Sequence, residues 1–225
     1  MKAATGERTI GTRAAAVAPR PPMPPLRIAA IVFNHLVPLI GTLWLNWPVG
    51  QFVLLSLINV VFGIMGPVTA NLVVDRLQQA PQAGVTGWLS VEPWVSLCLV
   101  VVFFSGVLAV LFGWIALALM PHGALAERHL WISAGLMVAA ALPGLVAGAH
   151  ADLRSGAGEG ARMARDQPAI LLQVASGIAL LVLSGYAADW FGAAGLYPLL
   201  FALTAFFIFR DLRPEAILRQ LFPGY

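Results

Sequence analysis

The chain has 225 residues, of which 60% are hydrophobic and only 10% are charged, and its mean hydropathy is +0.85. These values exclude an ordinary soluble domain and predict an all-α polytopic membrane protein. The net charge of +3 and the pI near 9.6 do not indicate nucleic-acid binding, because the basic residues lie in the termini and between apolar segments. The single cysteine, Cys98, excludes a disulfide within the chain.

The first 25 residues place Arg8, Arg13 and Arg20 among small residues, ahead of a cluster of prolines. A segment of this composition cannot bury a hydrophobic core, so we predict a disordered Arg/Pro-rich cytoplasmic tail over residues 1–25. The apolar run that follows Arg27 is longer than the hydrophobic region of a signal peptide. We therefore expect that run to be retained as the first membrane span.

Residues 34–67 predict a transmembrane hairpin, because only the short stretch at residues 46–50 separates two apolar runs. So short a turn requires antiparallel neighbours, and both arms are long enough to cross a bilayer of about 30 Å. The sequence places the centre of the turn between Pro48 and Val49.

Three polar residues in this hairpin, Asn34, His35 and Asn59, form a candidate intramembrane polar cluster. With the turn centred as above, Asn34 lies level with Gly63. Helical side chains lean toward the N-terminus of their own helix, so we expect Asn59 and His35 to lean apart. A structural role in hydrogen bonding and a role as a ligand or ion site both remain open.

Six apolar segments are each long enough to span a bilayer. They are residues 28–46, 50–74, 94–120, 130–149, 169–187 and 193–210. With the N-terminus in the cytoplasm, only Arg128 of the 13 Lys and Arg residues falls outside, which leaves twelve inside. This asymmetry predicts a six-helix bundle with both termini in the cytoplasm.

Small residues recur three and four positions apart within the spans, which permits close helix packing in a membrane. The packing residues that we predict are Gly63, Gly66, Gly106, Gly113, Gly144 and Gly148. This spacing of small residues is compatible with an ordinary bundle core, with a pore lining and with a homodimer interface.

No carboxylate falls in the middle of a span, because Asp75, Asp189 and Asp211 all lie at the ends of the apolar segments. This argues against a proton-driven carrier, which usually holds buried charges. A continuous polar face shared by three helices would favour transport, and the sequence alone does not assemble one.

The inner loop at residues 154–160 is rich in glycine but lacks the Lys-Ser/Thr pair of a phosphate-binding loop, so we predict a flexible connector. Its neighbourhood contains Arg154, Arg162 and Arg165, which we expect to meet anionic lipid headgroups.

The outer loop offers weak metal-ligand candidates in His122, Glu127 and His129. Two imidazoles and a carboxylate could hold zinc or copper, although the spacing matches no closed structural site and no H-E-x-x-H pattern. A solvated loop is the alternative interpretation.

The hairpin begins with NHLVPLIG at residues 34–41 and continues with LINVVFG at residues 57–63, and the last span ends in Arg210 and Asp211. These runs resemble an uncharacterised bacterial multi-pass membrane protein family, catalogued as a domain of unknown function. Its first helix carries an Asn-x-x-Pro-Leu-x-Gly motif, and its last helix ends in a basic-Asp pair. The resemblance implies a polytopic helical fold and supplies no function.

The chain departs from this family at two positions. Ile58 replaces an acidic residue that precedes the second-helix Asn, and the third span, residues 97–117, contains no histidine. Any polar or metal-binding activity that the family has in the membrane would therefore be lost here.

We expect one transmembrane domain over residues 26–213 and a short cytoplasmic tail over residues 214–225. The leading functional hypothesis is a non-catalytic protein of the bacterial inner membrane, either a scaffold or an accessory subunit. A transporter or channel for a small molecule is the alternative, and a metal-dependent membrane enzyme is the third. The expected partners are membrane lipids and either other membrane subunits or further copies of the chain, with no nucleic acid and no cofactor.

Overall fold

The computed structural model describes residues 25–88, 124–156 and 158–221, together with residues 23, 95, 102, 103, 106, 107 and 110. For residues 80–88, 124, 187–196 and 221 it describes the backbone only. The long described segments are helical: α1 (Pro25–Trp44), α2 (Val49–Trp88), a 3₁₀ helix (Ala124–Ala126), α3 (Arg128–Ser155), α4 (Glu159–Leu212) and α5 (Pro214–Leu221). Nearly all of the predicted tail and most of the predicted third span, residues 94–120, lie outside the described residues.

Four helical segments are long and apolar enough to cross a membrane, with mean hydropathies from 1.6 to 2.1. They are Pro25–Trp44, Val49–Gln79, Arg128–Ser155 and Glu159–Tyr186. Large apolar side chains point outward from these helices, including Trp44 at 73% exposure and Val146 at 64%. An apolar surface of this extent suits lipid tails and not water. The prediction of a helical membrane protein is confirmed.

Helix α4 reverses direction along its length. The Gln173 side-chain amide donates to Asp211 Oδ1 at 3.2 Å, although the two residues are 38 positions apart. In a straight helix they would be separated by about 57 Å, at about 1.5 Å per residue. Side chains from both arms of α4 also share one apolar cluster. The two arms correspond to the segments at 169–187 and 193–210.

Helix α2 lies at the centre of the bundle and packs against α1, α3 and α4. Phe52 and Leu57 are at most 2% exposed and belong to the apolar cluster with α4. On another side, Leu55 packs with Leu130 and Met137 of α3. Because lipid tails are as apolar as these side chains, close van der Waals packing is what joins the helices.

The hairpin between α1 and α2 turns earlier than the sequence predicted. Helix α1 ends at Trp44 and α2 begins at Val49, so the turn is centred near Asn46, whose φ of 52° is left-handed. The predicted centre, between Pro48 and Val49, is wrong because α2 has already begun at Val49 and includes Gly50. The early turn changes which residues of the two helices lie level.

Gly41 and Trp47 fix this turn. The Trp47 N–H donates to the Gly41 carbonyl at 3.1 Å. The indole of Trp47 lies so close to Gly41 that a Cβ there would overlap the ring. A residue larger than glycine at position 41 would therefore displace the tryptophan.

Two of the predicted packing glycines mark close approaches between helices. A Cβ at Gly63 would lie 2.9 Å from the side-chain amide of Gln173, and one at Gly66 would lie 3.3 Å from Leu145. At Gly144 a Cβ would meet Arg27 at an ordinary 3.9 Å, and at Gly106 and Gly148 it would meet no atom of the described residues within 4 Å, so a packing role at these three positions stays a prediction. Gly113 lies outside the described residues.

The stretch predicted as a C-terminal tail begins with α5. This short helix packs on α4 and buries Ile217 and Leu218. Its charged residues Glu215 and Arg219 lie 3.9 Å apart, one helical turn from each other.

Candidate functional site

Polar side chains of α2 lie at three depths in the bundle. Gln51 stands near the start of the helix, Asn59 follows about 12 Å further along the axis, and Asn71 about 18 Å beyond Asn59. Each belongs to a different group of hydrogen-bonded side chains, which we name the outer, central and inner clusters. Buried polar groups in a membrane need such partners, because lipid offers none.

The central cluster consists of His35 of α1, Asn59 of α2, and Gln173, Arg210 and Asp211 of α4. His35 Nε2 lies 2.7 Å from Asp211 Oδ2, and the two side chains are 4% and 18% exposed. His35 is the eleventh residue of the 20 in α1. The pair therefore lies near the middle of a candidate membrane span.

The second oxygen of Asp211 accepts hydrogen bonds from its own helix. Arg210 Nε donates to Oδ1 at 2.7 Å, and the Gln173 amide donates to the same oxygen at 3.2 Å. With His35 on Oδ2, the carboxyl group faces three donors. This arrangement suits an ionised carboxylate, which accepts at both oxygens.

The hydrogen bonds of His35 are consistent with a neutral imidazole. Its Nε2 donates to Asp211, which leaves Nδ1 as the acceptor of the ring. Asn59 Nδ2 lies 3.3 Å from both ring nitrogens, so its amide can donate to Nδ1. In this state the charges of Arg210 and Asp211 balance, and both nitrogens of His35 have a partner.

Arg210 is the least satisfied member of the central cluster. Its side chain is 1% exposed, yet Nη1 and Nη2 have no hydrogen-bond partner among the residues that the structure describes. The guanidinium lies 4.9 Å above the ring of Phe207, whose ring centre is 5.7 Å from that of His35. Two other buried acceptors, Gln173 Oε1 and Asn34 Oδ1, also lack a donor. Unpaired buried polar atoms are rare in folded proteins, so these atoms call for a structural or functional explanation.

Asp211 does lie at the end of its helix, as the sequence predicts, but the second arm of α4 brings it against the middle of α1. One expectation from the sequence is wrong here. Asn59 and His35 do not lean apart but lie in contact, since the early hairpin turn shifts the pairing of α1 and α2. Asn34 is buried, at 5% exposure, without a partner for its Oδ1.

The outer cluster consists of Trp47, Gln51, Glu127 and His129. Gln51 is fully buried, and its amide donates to Glu127 at 2.6 Å while its oxygen lies 3.0 Å from His129 Nε2. His129 Nε2 also lies 3.0 Å from Glu127, and its ring stacks on Trp47 at 4.7 Å. Glu127 precedes α3 without capping it, because its carboxylate reaches across to α2.

A cleft of about 520 Å³ opens at this end of the bundle. It is lined by Leu45, Asn46, Trp47, Pro48, Glu127, Arg128 and His129. The structure thus brings together two of the three metal-ligand candidates, Glu127 and His129, while His122 lies outside the described residues. Among the residues that the structure describes, no three His, Cys, Asp or Glu side chains are grouped to hold a metal ion.

The inner cluster consists of Asn71, Asp152, Arg162, Arg165 and Asp166. Arg165 forms a bidentate pair with Asp152 at 2.7 and 2.9 Å, and Asn71 donates to Asp166 at 3.0 Å.

Two of the inner arginines bind protein groups, contrary to the expectation that they meet lipid headgroups. Arg162 is fully buried and donates to Gln78 at 3.1 Å, and Arg165 is held by Asp152. Arg154 remains exposed. The inner cluster thus joins α2, α3 and the start of α4.

No family model, no curated protein and no solved structure matches this chain. The residues of the three clusters therefore carry the functional argument.

Sequence reasoning missed Gln173, Arg210 and Asp211 as members of the site. Gln173 lies within an apolar segment, where its polar side chain is as unusual as that of Asn59. This alone could have marked Gln173 as a candidate site residue. Arg210 and Asp211 end their segment, so only the reversal of α4 shows that they face His35.

Proposed function

We propose that this protein is a carrier for a small polar solute in the bacterial inner membrane, with six spans and cytoplasmic termini. The central cluster carries the proposal, because His35, Arg210 and Asp211 meet near the middle of a candidate span. A charged side chain at a helix centre costs about 2.5 kcal/mol or more. Such groups are retained in membranes chiefly where a substrate, an ion or a proton is handled.

The central cluster is also a polar face shared by three helices, which is the feature that favours transport over a scaffold. Helix α1 supplies His35, α2 supplies Asn59 and α4 supplies the remaining three side chains. A cluster that served only to join helices would gain most from pairing all of its buried groups. The unpaired nitrogens of Arg210 are better explained by a group that comes and goes.

The six-span topology rests on two further observations. All Lys and Arg residues except Arg128 fall on one side of the membrane if there are six spans. The reversal of α4 supplies two antiparallel arms in place of one long helix. The apolar segment at residues 94–120 supplies the remaining span.

The proposal is tested by measuring the uptake of radiolabelled solutes into liposomes that contain the purified chain. The panel contains carboxylates, amino acids, sugars, amines and inorganic ions, and protein-free liposomes are the control. We expect saturable uptake with one class of solute. If no solute is taken up and another membrane protein co-purifies stoichiometrically, the chain is an accessory subunit and the carrier proposal fails.

A further inference from the structure

The unpaired end of Arg210 has the geometry of an anion site. Its Nε is occupied by Asp211 at 2.7 Å, whereas Nη1 and Nη2 are both buried and without a partner. These two nitrogens present parallel N–H groups at the tip of the guanidinium. A planar carboxylate matches this fork with two hydrogen bonds, one to each of its oxygens.

The charges of the cluster limit what can bind. Arg210 and Asp211 cancel when His35 is neutral, so a bound monoanion would leave one uncompensated negative charge in the bundle. A buried unpaired charge is strongly unfavourable. Protonation of His35 would restore neutrality, whereas a dianion such as phosphate would still leave a negative charge.

We propose that the central cluster binds a small monocarboxylate end-on at Arg210 and takes up one proton on His35 Nδ1 with it. This inference rests on the proposed carrier function and names its solute class and its coupling ion. The proton comes from solvent, and no covalent bond changes in the solute. Once Nδ1 carries a proton it becomes a donor, so the Asn59 amide must rotate to present its oxygen.

The groups around His35 permit this protonation. Among the described residues, the side chains in contact with His35 are Asn59 of α2 and Phe207 and Asp211 of α4, and α3 places no ionisable group on it. Asp211 is the only one of these that carries charge, and its carboxylate stabilises an imidazolium. The remaining charge nearby is Arg210, which the bound carboxylate would neutralise.

Anion binding and proton binding are then reciprocally coupled. If the carboxylate favours protonated His35, a lower pH must favour the carboxylate by the same factor. Full coupling to one proton tightens binding by up to about tenfold for each pH unit by which the pH is lowered.

The test uses the full chain in nanodiscs of zwitterionic lipid, with sodium formate as the probe. Formate should raise the unfolding temperature more at the lower pH, because a ligand of the folded state stabilises it by mass action. In weakly buffered solution, about one proton should be taken up per bound formate, as neutrality of the cluster requires. Both measurements use the wild-type chain and do not depend on a variant that folds.

Variants then locate the site. Arg210→Lys keeps the charge but removes the fork, and should weaken formate binding by about tenfold or more. Arg213→Lys makes the same change at an exposed arginine three residues away and should bind formate as the wild type does. His35→Gln should abolish proton uptake and make any residual binding independent of pH.

Three results would overturn the inference: no formate binding, formate binding without proton uptake, or a stronger response to phosphate or chloride than to formate. Uptake of a sugar or an amine into liposomes, by a chain that does not bind formate, would retain the carrier function and reject this inference. Proton-coupled formate binding without uptake of any solute would support the binding site and reject the carrier function.

Discussion

At the scale of single residues, Asp211 holds two potential cations within one buried cluster. Its partners His35 and Arg210 are 4% and 1% exposed, so water cannot replace the carboxylate if it is removed. Removing one partner of a buried ion pair costs about 3–5 kcal/mol, because the other charge is left unpaired. The stability of the bundle should therefore depend strongly on this one side chain.

We predict that Asp211→Asn lowers the free energy of unfolding in detergent by about 3 kcal/mol. Asp152→Asn is the matched control, since Asp152 also binds an arginine through both oxygens, but its partner Arg165 is 43% exposed. Solvent should limit the control's loss to about 1 kcal/mol. Equal losses in a denaturant titration of the two variants would show that Asp211 is not in a buried pair.

A second residue-scale prediction concerns Gly41. Gly41→Ala should lower the unfolding temperature, because the added Cβ overlaps the indole of Trp47 and forces it away from His129. Gly148→Ala is the matched control, because no atom lies within 4 Å of the added Cβ and alanine favours a helix by about 1 kcal/mol. Thermal scans in which both variants gained stability would place Trp47 elsewhere.

At the scale of helices, the reversal of α4 brings the site together. Spin labels at Leu171 and Phe209, which are both exposed, report on this reversal directly in a Cys98→Ala background. We predict that the distance between the two labels is well below about 57 Å, the separation of two residues 38 positions apart in one straight helix. A pulsed electron resonance distance near that larger value would mean that Asp211 cannot reach His35.

The sequence predicts the helices much better than their pairing. Apolar length suffices to predict the four helices that are long enough to cross a membrane, and the unusual polar residues His35 and Asn59 stand out against their neighbours. Their contact was missed because a hairpin turn centred two residues earlier shifts the pairing of α1 and α2 by four residues, about 6 Å along the helix axis, which brings Asn59 level with His35. Asp211 was missed because its depth depends on where α4 turns, and no local pattern at residues 210–212 encodes that.

At the scale of the whole molecule, α2 is held at three depths by three polar clusters, and in the central cluster both Nη atoms of Arg210 are buried without a hydrogen-bond partner among the described residues. The outer cluster opens into a cleft, while Arg165 of the inner cluster is held by a bidentate pair. A solute that entered from the outer cleft would meet the central cluster before the inner one. A carrier with a single central site requires its binding site to lie between the two ends of the bundle, as the central cluster does.

The measurement that tests the central claim most directly is the uptake of radiolabelled solute by His35→Gln, measured beside that by His150→Gln, in liposomes. Glutamine keeps a polar side chain at position 35 but cannot take up a proton, and His150 is an exposed histidine outside all three clusters. The account predicts that His35→Gln folds, retains an unfolding temperature within a few degrees of the wild type and loses the uptake, while His150→Gln retains it. Full uptake by a folded His35→Gln protein would contradict the account and leave the central cluster with a structural role only.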